Sequence, residues 1–338
     1  LTFSSTVGIP KLEYPLFPES DVDEFNKLVL RACFTDSWAL NTWSSSRYRP
    51  NDSQYTRDVW MKDSMTDMGH ASGHGNFVHL YYNGLYFGVH NLTERIEDDW
   101  YAEHLGGEKE DWKVNKDQVV SSAGPRWNAM MGILNGSITD NAVYEQAKDY
   151  LDFENYIDYM LLHFYADAED WPTKNGYSAV NEISGDGKFR YQVWDQEIAL
   201  DKFSWNRYNS SSGAGAPFQR LRLNDEFRLL FADRVHKHMF NGGELSESRS
   251  VARFMDISNE IDKAIVAESA RWGDTQDNTP YGNTAGSSNN IDADYYPPTI
   301  NDPPSDVSPS PPWNASLPPL EPPAPANSSL APPWASVD

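Results

Sequence analysis

The chain of 338 residues holds a single cysteine, Cys33, which excludes an intrachain disulfide and a multi-cysteine zinc site. Cys33 falls in the apolar run Leu28-Val29-Leu30-Arg31-Ala32-Cys33-Phe34, where a small buried hydrophobe in a strand is expected rather than a nucleophile. Basic residues are scarce: 27 Lys and Arg stand against 50 Asp and Glu, a formal charge of −23, and none follows Arg271. So acidic a surface repels phosphate backbones and anionic lipid, which argues against nucleic-acid and anionic-membrane partners. No run of about 18 apolar residues occurs, so no membrane-spanning helix is expected. Leu1 to Thr6 lack an initiator Met, a basic n-region and an apolar h-region. The chain is therefore expected to be a piece whose signal peptide, if any, lies upstream. No Gly-x-Ser-x-Gly elbow and no His-Glu-x-x-His pair is present, which lowers serine-hydrolase and zinc-protease readings.

Proline is sparse until the end. Fifteen of the 22 prolines lie from Pro280 onward, among Gly, Ser, Asn and acidic residues. Repeated Pro-Pro pairs neither continue a helix nor occupy a central strand. Residues 1–275 are read as the folded domain and 276–338 as a Pro-rich disordered tail or linker.

Within the domain the first half carries strand signals. Phe77–Tyr82 and Leu85–His90 flank Asn83-Gly84, the signature of a hairpin with a type I′ turn. A second hairpin fits Tyr177–Val180 and Lys188–Trp194, with Gly185-Asp186-Gly187 at the bend. Helical stripes follow the 3.6 period: Phe153, Ile157, Met160, Leu161 and Phe164; then Phe227, Leu230, Phe231 and Val235; then Phe254, Ile257, Ile261 and Ile265. These stripes are core by default. The fold class is α+β, with a β-rich N-terminal portion and a mainly helical C-terminal portion.

Two acidic segments bracket the second hairpin. Asp170 and Asn175 stand five apart in Glu-Asp-Trp-Pro-Thr-Lys-Asn, and Trp194-Asp195-Gln196-Glu197 follows. This order is how a kinase-type phosphoryl-transfer site is assembled: one carboxylate orients the attacking hydroxyl, while an Asn and a second carboxylate hold metal ions on the nucleotide phosphates. Asp170 alone is equally well read as a turn or capping residue, and Asn175 as a turn residue. If the strand before Asp195 continues, Asp195 and Glu197 share one face, and two acids so close need a cation between them. Glu94, ending the first hairpin, suits the carboxylate that orients a nucleotide-binding Lys, although Arg95 beside it offers a plain ion pair. His70 and His74 have the spacing of helical metal ligands, but Gly69 to Gly75 is a poor helix and a His metal site is not expected there.

Together these segments resemble a known family. Asn83-Gly84-Leu85-Tyr86-Phe87-Gly88 through Glu94-Arg95, Asp170-Trp171-Pro172-Thr173-Lys174-Asn175, and Val193-Trp194-Asp195-Gln196-Glu197 resemble, in order, the motifs of the CotH kinase family. Lys11–Phe17 and Arg57-Asp58 also fit its larger bacterial members, and the resemblance covers roughly residues 10–272. It implies a distant protein-kinase-like fold in an atypical, secreted or surface-associated protein kinase. Such a kinase uses ATP and Mg²⁺ or Mn²⁺ to phosphorylate hydroxyls of proteins. By motif position Asp170 is the catalytic Asp, and Asn175, Asp195 and Glu197 hold the metal. Glu94 pairs with the nucleotide Lys, and Lys174 is a further nucleotide contact. The family's basic segment with that Lys precedes Leu1, so the phosphate-binding Lys is expected to be absent, with Lys11 a weak substitute. The alternative is a non-catalytic surface or cell-wall scaffold with the same fold. A third reading, a carbohydrate-active protein, rests on 12 Trp and 18 Tyr and an Asp170/Asp195 acid–base pair.

Overall fold

Turn chemistry sets the first sheet. The computed structural model describes residues 1–6, 8–37, 53–116, 123–201 and 206–272. In chain order they form β1 (Leu12–Glu13), β2 (Glu24–Phe25), β3 (Leu28–Arg31), α1 (Arg57–Asp67), β4 (Gly75–Tyr82), β5 (Leu85–Glu94), α2 (Asp98–Leu105) and β6 (Trp112–Lys116). There follow α3 (Gly124–Leu134), α4 (Asn141–Ala147), α5 (Phe153–Ala166), β7 (Gly176–Asn181), β8 (Arg190–Val193), α6 (Gly215–Leu221), α7 (Asp225–Met239), α8 (Glu247–Ile261) and α9 (Ala264–Trp272). The Pro-rich segment and its boundary at 275 lie outside the described residues.

Asn83 and Gly84 both take positive φ, 50° and 81°, the type I′ geometry that matches the twist of flanking strands. β4 and β5 pair antiparallel from Gly75↔Thr93 to Tyr82↔Leu85, and β3 adds to the other edge of β5 with Leu28 opposite Glu94. β5 is thus central, and its C-terminal end, Asn91 to Glu94, runs into the interior.

The second hairpin forms β7 and β8, with Gly176 opposite Val193, and β6 adds to the free edge of β7. Its bend is held by Asn181, whose Oδ1 accepts the amides of Ile183, Ser184 and Gly185. This is a side-chain cap that lets the backbone turn without ladder bonds.

α5 is the axis of the core. Asp152 caps its N-terminus by accepting Asn155 N–H at 3.2 Å, and it ends where Asp167 turns left-handed at φ 49°. The Phe153, Ile157, Met160 and Leu161 side chains are buried against Met61 and Met65 of α1, Leu134 of α3, Val193 of β8, Phe218 of α6 and Phe227 of α7. Each such side chain contributes about 1.5–3 kcal/mol by leaving water. The third stripe divides between α8 and α9, so one apolar period crosses a helix break.

The chain is α+β, built of small antiparallel sheets and helices. Two details differ from the sequence reading. The first half is not purely β-rich, since α1 and α2 sit among its strands. β3 stops at Arg31, and Cys33 adopts left-handed backbone (φ 49°) ahead of a short 3-10 turn. Its thiol is buried, and that burial pushes its pKa well above the ordinary thiol range.

Candidate functional site

Three hydrogen bonds lay the two acidic segments side by side. Glu169 N–H donates to Ile198 O at 3.2 Å, and Leu200 N–H to Ala166 O at 2.7 Å. The Asn175 side-chain amide donates to Asp195 O at 2.9 Å. Asp170 and Asn175 belong to one turn, closed by Lys174 N–H on Asp170 O at 3.0 Å. Left-handed backbone at Asn175 (φ 59°) and Asp195 (φ 57°) re-aims the chain at both ends of the hairpin; Asn and Asp tolerate that region better than other side-chain-bearing residues.

Asp195 and Glu197 do meet, but not by strand alternation. β8 ends at Val193, so the period of two does not extend to them. The Arg31 guanidinium gathers them instead: the same Nη2 donates to Asp195 Oδ1 and to Glu197 Oε1. The cation that two neighbouring carboxylates require is therefore supplied by the protein. Glu197 is buried, and its other oxygen accepts both Thr35 N–H and Thr35 Oγ–H at 2.8 Å. Asp195 is more open, its side chain 43% exposed.

Beneath them lies a group of which the sequence reading marked only Asp58, as part of the Arg57-Asp58 resemblance. Asp58, at the start of α1, accepts Gln196 N–H at 2.7 Å and pairs with Lys62 Nζ at 2.8 Å and Arg31 Nε at 3.4 Å. Burial opposes its charge, yet Lys62 and Arg31 outweigh burial and hold Asp58 well below the usual carboxylate range. Lys62 is buried, with Nζ also 3.3 Å from Thr93 Oγ1. Trp194 is ringed by three cations: Arg31, Lys62 and Arg95 lie 5.3, 5.4 and 5.4 Å from its ring centroid. The signal for Lys62 was its place four residues after Asp58, between Met61 and Met65 on a helix whose other buried positions are mostly apolar. A lysine there needs a buried anion.

These residues fit a divalent cation unequally. Asp195, whose side chain is more open than that of Glu197, suits an oxygen-ligated ion. Asn175 spends its amide nitrogen on Asp195 O, which leaves any metal contact to its amide oxygen. Glu197, with three donors on its carboxylate, suits the role of fixing Arg31 and the Thr35 turn better than direct ligation. Asp170 is half-buried and Lys174 exposed on the same turn.

Glu94 is placed differently from the expectation of a lysine partner. Its Oε1 lies 2.8 Å from His104 Nε2, and its Oε2 lies 3.1 Å from His74 Nδ1 while accepting His74 N–H at 2.8 Å. The nearby cations Lys27, Arg95 and Lys116 are all drawn to Glu97. Burial works against the Glu94 carboxylate, but the two imidazoles pull it down to about 2. His70 and His74, four apart in sequence, serve separate networks, because α1 has ended at Asp67; His70 turns to Asp158.

A scan against family models matches the CotH kinase protein family over residues 23–293. The match covers all three motif segments and every site residue described above, and the chain belongs to the CotH kinase family. A search of curated proteins returned no match.

Proposed function

We propose that this protein is an atypical protein kinase that transfers the terminal phosphoryl group of ATP to a Ser or Thr hydroxyl of a protein, with Mg²⁺ or Mn²⁺. What carries the reading is the hydrogen-bonded convergence of the Asp170–Asn175 turn with the Asp195 segment around buried Lys62 and Arg31, within a chain of the CotH kinase family. Phosphoryl transfer is mainly positioning and charge stabilisation, and this arrangement supplies both. Asp170 would accept the hydrogen bond of the incoming hydroxyl and draw its proton as the bond to phosphorus forms. Asp195 and the Asn175 amide oxygen would hold the divalent ion, which neutralises phosphate charge when bound. Lys62 and Arg31 would supply positive charge toward the phosphates. The kinase-like fold and a location outside the cytoplasm belong to the same proposal and rest on the family; fractionation of expressing cells tests the latter.

The test is transfer of labelled γ-phosphate to protein hydroxyls in Mg²⁺ or Mn²⁺, with Asp170→Asn and Asp195→Asn alongside. Transfer lost in both, with ATP binding lost only in Asp195→Asn, supports the assignment. Equal transfer by the parent protein and Asp170→Asn overturns it. One observation favours the non-catalytic alternative: Arg31 already bridges Asp195 and Glu197. Absence of any metal-dependent ATP binding would select that reading. The carbohydrate reading loses ground because Trp60, Trp100, Trp112, Trp171 and Trp194 are all interior.

A further inference from the structure

We propose that His74, Glu94 and His104 form a binding site for a divalent transition metal of the zinc class, separate from the acidic segments. Two imidazoles and one carboxylate are a recurring ligand set for zinc, and the mixed nitrogen and oxygen donors distinguish it from the all-oxygen preference of Mg²⁺. The donor atoms of the three side chains all lie within 4.8 Å of one another. Each imidazole addresses a different oxygen of the Glu94 carboxylate, so both already meet that one group.

The scaffold is rigid in the way a metal site needs. Glu94 ends the central strand β5, and His74 sits just before β4 directly across from it; their backbones are joined by Glu94 N–H to His74 O at 3.0 Å. His104 arrives from α2, its ring 4.4 Å from that of Trp100 and 5.8 Å from that of His74. Phe17 covers the opposite side of His74 at 6.3 Å. Metal binding would thus clamp α2 onto the first sheet. A surface cleft lined by Lys27, Asp99, Trp100 and Glu103 also reaches Glu94, which gives an ion a route to the carboxylate. This inference is independent of the phosphoryl-transfer reading, because the site shares no residue with the Asp170, Asn175, Asp195 and Lys62 group. It does reassign Glu94 from lysine orientation to ligation.

The experiment is calorimetric titration of chelator-treated, dialysed full chain with ZnCl₂, together with visible spectroscopy on CoCl₂. The expected result is one Zn²⁺ per chain with micromolar or tighter affinity, and intense d–d absorption from low-coordinate Co²⁺ that Zn²⁺ abolishes. His74→Ala and His104→Ala should each weaken Zn²⁺ at least tenfold, while His236→Ala, at an exposed position on α7, should leave it unchanged. Two results overturn the proposal: no saturable Zn²⁺ binding up to about 100 µM, or binding that survives both substitutions. Should the variants fail to fold, the Co²⁺ spectrum of the parent protein decides, and the pale spectrum of six-coordinate aqueous Co²⁺ rejects the site. Retention of Zn²⁺ by Asp195→Asn separates this outcome from failure of the kinase reading.

Discussion

The Asn175 side-chain amide donates to the backbone carbonyl of Asp195 at 2.9 Å, from a residue held at φ 59°. One residue thus provides both a tie between the two acidic segments and the left-handed backbone that starts β7. The two contributions separate by substitution. Asn175→Gly keeps the backbone conformation and loses the bond, costing about 1 kcal/mol. Asn175→Ala adds left-handed strain and is expected to cost about 2 kcal/mol. Urea unfolding of the two variants measures the difference; equal midpoints would show that backbone conformation contributes nothing here.

Asp195 and Glu197 share Arg31 but differ in surroundings, and their substitutions should separate stability from binding. Glu197→Gln disturbs a buried carboxylate with three donors and is expected to destabilise by about 2–4 kcal/mol. Asp195→Asn, at an exposed position, should cost under about 1 kcal/mol while removing metal-dependent ATP binding. Denaturant midpoints and nucleotide titrations on both variants check the pair; the reverse pattern would exchange their assignments.

Lys62 and Asp58 form a buried couple, so removing Lys62 leaves the Asp58 charge to Arg31 Nε, 3.4 Å away. Lys62→Met is expected to destabilise by about 3 kcal/mol and to weaken ATP at least tenfold. Adding Asp58→Asn should restore part of the stability, because a buried charge that has lost its nearer cation is gone, without restoring nucleotide affinity. A double-mutant cycle with both readouts measures this coupling. Full recovery of affinity in the double variant would remove Lys62 from the nucleotide site.

Acid sensitivity should trace to Asp158 in α5. Its carboxylate is buried, which raises its pKa, but His238, His70 and Arg234 overcome burial and bring it below the ordinary carboxylate range. A depressed folded pKa means the unfolded chain binds more protons as pH falls. The contribution is therefore complete above about pH 4 and is lost progressively below it. Asp158→Asn should flatten that acid limb in urea midpoints collected from pH 2 to 6, and should cost about 3 kcal/mol at neutral pH by leaving the buried Arg234 with only the exposed Glu154 as carboxylate partner. An unchanged acid limb would locate the sensitivity elsewhere.

Local signals read well because local physics decides them. Asn83-Gly84 dictates its turn whatever surrounds it, and the Phe153 to Phe164 stripe dictates a helix with a buried face. The order of the acidic motifs identified the segments that converge. What the sequence could not supply was partnership across long separations. Arg31 lies 164 residues from Asp195, and Lys62 sits one turn beyond the Arg57-Asp58 pair, at a position that no motif marked. Glu94 shows the same limit: strand register and the placement of α2, neither written in its neighbours, bring two histidines to it. Asp195 and Glu197 converge for a reason that alternation misattributed, since the strand ends before them.

Trp194, surrounded by the side chains of Arg31, Lys62 and Arg95, gives the protein a built-in optical gauge. An indole's excited state responds to nearby charge, so any anion that draws those side chains away should shift its emission without an added dye. Titration of the parent protein against Trp194→Phe would isolate that signal from the other tryptophans and report occupancy in real time.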